Sequence, residues 1–117
     1  MRTDTNSGKG KERILIKANY QLVPVILDEI LFIKALSDYV IIKTTTGKYI
    51  PLSTMKDMVD SLPDSNFVRS HRSFIVNLDK VSAVKGSTIE IRDCDMRFSV
   101  PIGRAYKKDF KASLNAA

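Results

Sequence analysis

Cysteine and histidine are nearly missing from this 117-residue chain, with Cys94 and His71 the sole example of each. One cysteine permits no intrachain disulfide, and one thiol plus one imidazole fall short of the donor set of an ordinary zinc site. A reducing cytoplasm fits that usage, and neither a metal nor another cofactor is expected. Cys94 lies between Asp93 and Asp95, whose carboxylates disfavour a thiolate, so it reads as a hairpin-turn residue and not as a nucleophile. The five glycines are scattered. They form no phosphate-cradling loop and no Gly-x-Ser-x-Gly elbow that would make a nucleophile of Ser70 or Ser73 beside His71, so catalysis is not expected. No apolar run reaches the roughly 18 to 20 residues that span a bilayer, and the first residues show no signal-peptide pattern, so no membrane association is expected.

Acidic residues are also in deficit, 13 against 19 lysines and arginines, for a net charge of +6. The excess favours a polyanionic partner. Its distribution says more. Residues 54–66 carry Lys56 against Asp57, Asp60 and Asp64, whereas residues 97–111 carry Arg97, Arg104, Lys107, Lys108 and Lys111 against Asp109. A field polarised in this way lets one surface meet nucleic acid while another avoids it. The length suits one domain able to bury a single core without staples.

Residues 1–12, MRTDTNSGKGKE, are polar, small and without periodicity, and read as a disordered linker or tail ahead of a domain over residues 13–117. From there the chain is punctuated as short β-branched runs at residues 14–18, 22–27, 30–36, 39–45 and 49–52, then 67–69, 74–77, 81–85, 88–92 and 96–100. Turn residues separate most of them, which predicts mainly antiparallel β structure. Two segments break the pattern. Met55, Met58, Val59 and Leu62 recur at helical spacing after Ser53 or Thr54 as N-cap and before Pro63 as stop, predicting a short amphipathic helix over residues 53–62 with an acidic outer face. Tyr106, Phe110 and Leu114 repeat every four residues in a final helix over residues 104–114, with Arg104, Lys107, Lys108 and Lys111 on another face. Cations at the start of a helix gain nothing from its dipole, so their clustering there suggests an external anion.

The segment FVRSHRSFIVN, residues 67–77, sets a basic, polar stretch between two apolar pieces. Its charges cannot be buried without partners, so it is expected at a strand end, facing an anion. Arg69, Ser70, Arg72 and Ser73 carry donors of the kinds that hold phosphate oxygens and base edges. His71 is read as a structural loop fastener, its ring nitrogens tied to neighbouring backbone.

With Phe67, Arg69, His71, Arg72, Ser73 and the FIVN that follows, the segment resembles the signature of LytTR-type DNA-binding domains. The upstream ILFIKALSDYVIIKT, the helix-like STMKDMVDSL and the closing VPIGRAYKKDF extend the resemblance over residues 20–114. It implies an elongated arrangement of small antiparallel sheets with one short internal helix and a short C-terminal helix. It also implies loop-borne, sequence-specific binding of double-stranded DNA, as the output module of a bacterial response regulator. By motif, the contact regions would be residues 37–39, 69–73 and 103–104. Tyr39, Arg72 and Arg104 are the implied base contacts, the arginines through guanine O6 and N7. Ser37, Arg69, Ser70, Ser73, Lys107 and Lys108 are the implied backbone contacts. Gly103 stands where the family often has serine. A second copy of the domain on repeated sites and an upstream receiver domain, outside these residues, are the further partners implied. The alternative is a β-rich protein-interaction domain that docks an acidic partner through its basic face.

Overall fold

The computed structural model describes residues 12–63 and 66–116. Residues 1–11 of the expected tail, and Asp64, lie outside the described residues. The first hairpin pairs β1 (Arg13–Ala18) with β2 (Gln21–Ile26). Asn19 and Tyr20 between them have φ of 53° and 64°, the two successive left-handed residues that match a hairpin turn to the strands' own twist. A 3-10 turn at Leu27–Glu29 leads into β3 (Ile30–Leu36), β4 (Tyr39–Thr44) and the two-residue β5 (Lys48–Tyr49). Helix α1 (Met55–Ser61) follows, then β6 (Phe67–His71) and β7 (Phe74–Asn77). A meander of β8 (Val81–Lys85), β9 (Thr88–Asp93) and β10 (Met96–Pro101) precedes a 3-10 turn at Arg104–Tyr106 and helix α2 (Lys107–Ala116).

The strands form three antiparallel sheets: five strands in the order β5-β4-β3-β7-β6, three in the order β10-β9-β8, and the β1–β2 hairpin. This is the mainly β, small-sheet architecture expected from the sequence, with principal extents of 43, 33 and 29 Å. The central sheet carries a core on each face. On one, Ile33, Val40, Ile42 and Ile75 meet Met55, Met58 and Leu62 from the helical segment and Ile16 and Val25 from the hairpin. On the other, Val76 meets Ile89, Ile91, Val100 and Phe110. Two-faced burial explains why residues 30–33, ILFI, form an unbroken apolar run. A register shift between Ile30 and Phe32 helps: it sends Ile30 into the first core and Leu31 into the second, both fully buried.

Helix α1 starts where its cap dictates, the Thr54 hydroxyl accepting from the Asp57 N–H at 3.0 Å. The last helix begins later than its sequence pattern suggests. Gly103 has no side chain to cap the turn, and the Tyr106 N–H closes on the Gly103 carbonyl at 2.9 Å, an i to i+3 bond that winds residues 104–106 as a 3-10 turn. Arg104 therefore leaves the α-helical register it was assigned with Lys107, Lys108 and Lys111. Phe110 is fully buried on α2, with Leu114 half-buried beside the same core. Phe110→Ala is expected to cost about 3 to 5 kcal/mol of stability, the usual penalty for an aromatic-sized cavity, and denaturant unfolding measures it.

Candidate nucleic-acid interface

Antiparallel pairing decides which turns share an end of the molecule. β3 ends where β7 begins, with Lys34 opposite Phe74, so the β3–β4 turn at Ser37–Asp38 and the β6–β7 turn at Arg72–Ser73 lie side by side. The Ala35 N–H donates to the Ser73 carbonyl at 2.9 Å and joins them. On the other side, the Gly103 N–H donates to the Ser70 carbonyl at 2.8 Å, which brings the Arg104–Tyr106 turn against β6. The three regions singled out from sequence thus form one row, with the basic turn in the middle.

The middle turn is built by a bulge. Arg69 pairs with Ile75 and His71 with Phe74, leaving Ser70 as the extra residue of β6. A bulged residue is released from the ladder, and here its carbonyl turns to Gly103. The segment differs in two respects from its sequence reading. The strand does not end at Arg69: Ser70 and His71 continue β6, the edge strand of the sheet. Ser70 is fully buried, and its hydroxyl donates to the Pro101 carbonyl at 3.2 Å. It therefore has no access to a phosphate, and its assignment as a backbone contact is corrected to that of an internal tie between β6 and β10.

Arg69 is turned onto its own hairpin. Its Nε donates to the His71 carbonyl at 3.3 Å and a terminal nitrogen donates to the Arg72 carbonyl. These bonds occupy two of the five guanidinium donors and leave the rest for an outside acceptor. His71 accepts the Ser73 N–H on Nδ1 at 3.0 Å, which leaves Nε2 to carry the ring proton, and its ring meets Phe74 edge-on at 5.8 Å between centroids. On its other side it meets Gly103. A Cβ at Gly103 would stand 3.3 Å from His71 Cδ2 and 3.1 Å from Tyr106 Cδ2, so the bare glycine suits the close approach of the third turn.

The remaining candidates project outward. Arg72 and Arg104 are exposed, and among the described residues neither side chain makes a hydrogen bond or an ion pair. Ser37 is exposed at the first position of its turn, with φ of 56°. Tyr39 begins β4 opposite Leu36 and is 46% exposed. Ser73 and Lys107 are half-buried, and Lys108 is exposed one residue further along α2. The acidic side of α1 belongs to the helix on the first core, yet Asp57 in its first turn lines one cleft with Ser37, Asp38 and Tyr39, so the flank of the row at the first turn carries carboxylates beside its polar groups. One cation near the row escaped the sequence reading. Lys34 is exposed on β3 immediately before Ala35, the residue bonded to the middle turn.

No helix among the described residues is long and apolar enough to cross a membrane, and no cluster of His, Cys, Asp and Glu among them could hold a metal ion. Comparison with known proteins gives a single direction. The family model described as the LytTr DNA-binding domain matches residues 20–115. The sensory transduction protein LytT of Bacillus subtilis is 28% identical over 116 residues, covering 97% of this chain and 48% of LytT. The transcriptional regulatory protein YpdB of Escherichia coli is 30% identical over 88 residues, 73% of this chain and 36% of YpdB. The chain thus spans about half the length, or less, of these curated relatives. A solved LytTr DNA-binding domain from Bacillus cereus superposes with a TM-score of 0.72 at 23% identity, covering 90% of this chain and 98% of that one, which shows a shared fold. With a family match running from the first hairpin turn to the end of α2, the chain belongs to the LytTr DNA-binding domain family.

Proposed function

We propose that this chain reads double-stranded DNA with the row of three turns, as the cytoplasmic output module of a bacterial transcription regulator. The observation that carries the reading is the pairing of rigidity with free cations. Two backbone hydrogen bonds fix the turns relative to one another, while Arg72 in the middle and Arg104 on one flank keep their guanidinium groups unpaired among the described residues. A planar guanidinium held on a rigid turn suits the O6 and N7 edge of guanine in the major groove. Tyr39 on the other flank offers a hydroxyl and an aromatic edge. Ser37, Ser73, Lys107 and Lys108 stand around them as phosphate donors, with the unused donors of Arg69. Assembly of two copies on repeated sites, and control by a receiver domain elsewhere in a longer protein, extend the same reading.

Selection of bound duplexes from random sequence identifies the preferred site, and three outcomes on that site are expected. Arg72→Ala and Arg104→Ala should each cost about 1 to 3 kcal/mol and relax preference at a different base position, measured by competition among single-base variants. Equal loss on preferred and random DNA would remove them from base readout. Arg69→Ala should lower the melting temperature as well as affinity, because it strips donors from the His71 and Arg72 carbonyls. An unchanged melting temperature would make Arg69 a plain phosphate contact. The Lys107 and Lys108 double alanine variant should keep its melting curve yet flatten the slope of log affinity against log salt by nearly two units, at ~0.9 per phosphate. An unchanged slope would make both lysines part of a solvated face.

A further inference from the structure

The face of the central sheet that bears Tyr39 carries a second set of cations. Cross-strand register fixes it: Lys34 lies opposite Phe74 and Ile41, Lys43 opposite Phe32, and Lys48 opposite Lys43. Alternation along β4 puts Tyr39, Ile41 and Lys43 on one side, and alternation along β3 puts Leu36, Lys34 and Phe32 there with them. Lys34 and Lys48 are exposed and Lys43 is half-buried. None of the three forms an ion pair among the described residues.

Two features set these lysines apart from an ordinary solvated surface. The first is how they are held. The Lys34 ammonium stands over the Phe74 ring at 5.9 Å from its centroid, and that of Lys43 over Phe98 at 5.5 Å. Phe32 lies between those rings, 6.4 Å from Phe74 and 5.5 Å from Phe98, so an aromatic row spaces the two cations. A ring face positions an ammonium without neutralising it, and the N–H groups stay available to an anion. The second is that Lys43 and Lys48 face each other directly in the ladder, an unfavourable arrangement for like charges unless an outside anion lies between them.

We infer that Lys34, Lys43 and Lys48 form a phosphate-binding track on the sheet face, which takes the sugar-phosphate wall of the groove whose floor the turns read. The inference rests on the DNA-binding reading above. Its geometry comes from strand rise. Lys34 is two residues back from Leu36, about 7 Å from the end of the ladder, and Lys43 is level with Phe32, about 13 Å back. The major groove is roughly 8.5 Å deep. With the turns on its floor, Lys34 stands at the height of the wall, while Lys43 and Lys48, further back than the groove is deep, stand just outside its rim and extend forward to the phosphates there.

The test replaces the three lysines by glutamine, which keeps much of each stem, and measures affinity against salt on the preferred site and on random duplex. The triple variant should lose about 2 to 3 units of salt slope on both DNAs, at ~0.9 per phosphate, while the ratio between the two affinities stays as in the native chain. The triple arginine variant should retain the native slope. Where the triple glutamine variant melts early, K34Q alone, with a slope change near one unit, serves in its place. A native slope in the glutamine variants, with DNA binding intact, overturns the track and leaves the turns as readers. Absence of DNA binding by the unaltered chain at low salt overturns the reading on which the track rests.

Discussion

Two backbone carbonyls hold the candidate interface together. The Ser73 carbonyl accepts from Ala35 on one side and the Ser70 carbonyl from Gly103 on the other, so the β6–β7 hairpin is the common support of both neighbouring turns. Both bonds lie beyond the paired residues of the strands. The first exists because β3 runs two residues past its last pair with β7, so that Ala35 and Ser73 continue the register of Lys34 and Phe74, and the second because a bulge releases the Ser70 carbonyl from the edge of the sheet. Their energetic worth is modest one by one, about 1 kcal/mol each, yet their placement decides whether three short turns move independently or as a unit.

Rigidity matters because readers of base edges must hold several groups in one frame before contact. Ordering a turn on binding would subtract from affinity, whereas turns already fixed by the scaffold carry that cost in folding. The two cores supply the scaffold. Phe110 packs α2 into the core on one face, while Met55 and Met58 clamp α1 against the other. The hairpin itself allocates its cations by position. Arg69 lies within β6 and turns onto the carbonyls of its own loop, while Arg72 stands at the turn and projects outward. Two arginines three residues apart thereby have different work, one closing the loop and the other open to a partner.

Much of this was legible in the chain. Period-two alternation in TIEIR, the helical spacing of Met55, Met58 and Leu62, and Thr54 before them placed strands, helix and cap to within a residue or two. What could not be read were facts of neighbourhood. Ser70 looks like Ser73 in sequence, and only the bulge in the β6–β7 ladder, beside the Pro101 carbonyl of β10, makes one buried and the other half-exposed. Ser70 and His71 read as lying past a strand end because a run of polar and charged residues seemed incompatible with a strand, an objection that fails at a sheet edge. The 3-10 start of the last helix rests on the Tyr106–Gly103 bond, and Gly103 in turn lies against His71, 32 positions earlier in the chain. Lys34 was masked by the apolar run ILFIKAL, although period two already sets it on the face of Phe32 and Leu36.

The most direct measurement is amide hydrogen exchange at Ala35 and Gly103 in the DNA-free chain and in its complex with the preferred duplex. A row of turns fixed by the Ser73 and Ser70 carbonyls predicts that both amides are protected in the free chain to the level of the β3 and β7 ladders. Adding DNA should then change that protection little. Free exchange at loop-like rates, with protection gained only on the duplex, would mean that DNA assembles the row and would contradict the account.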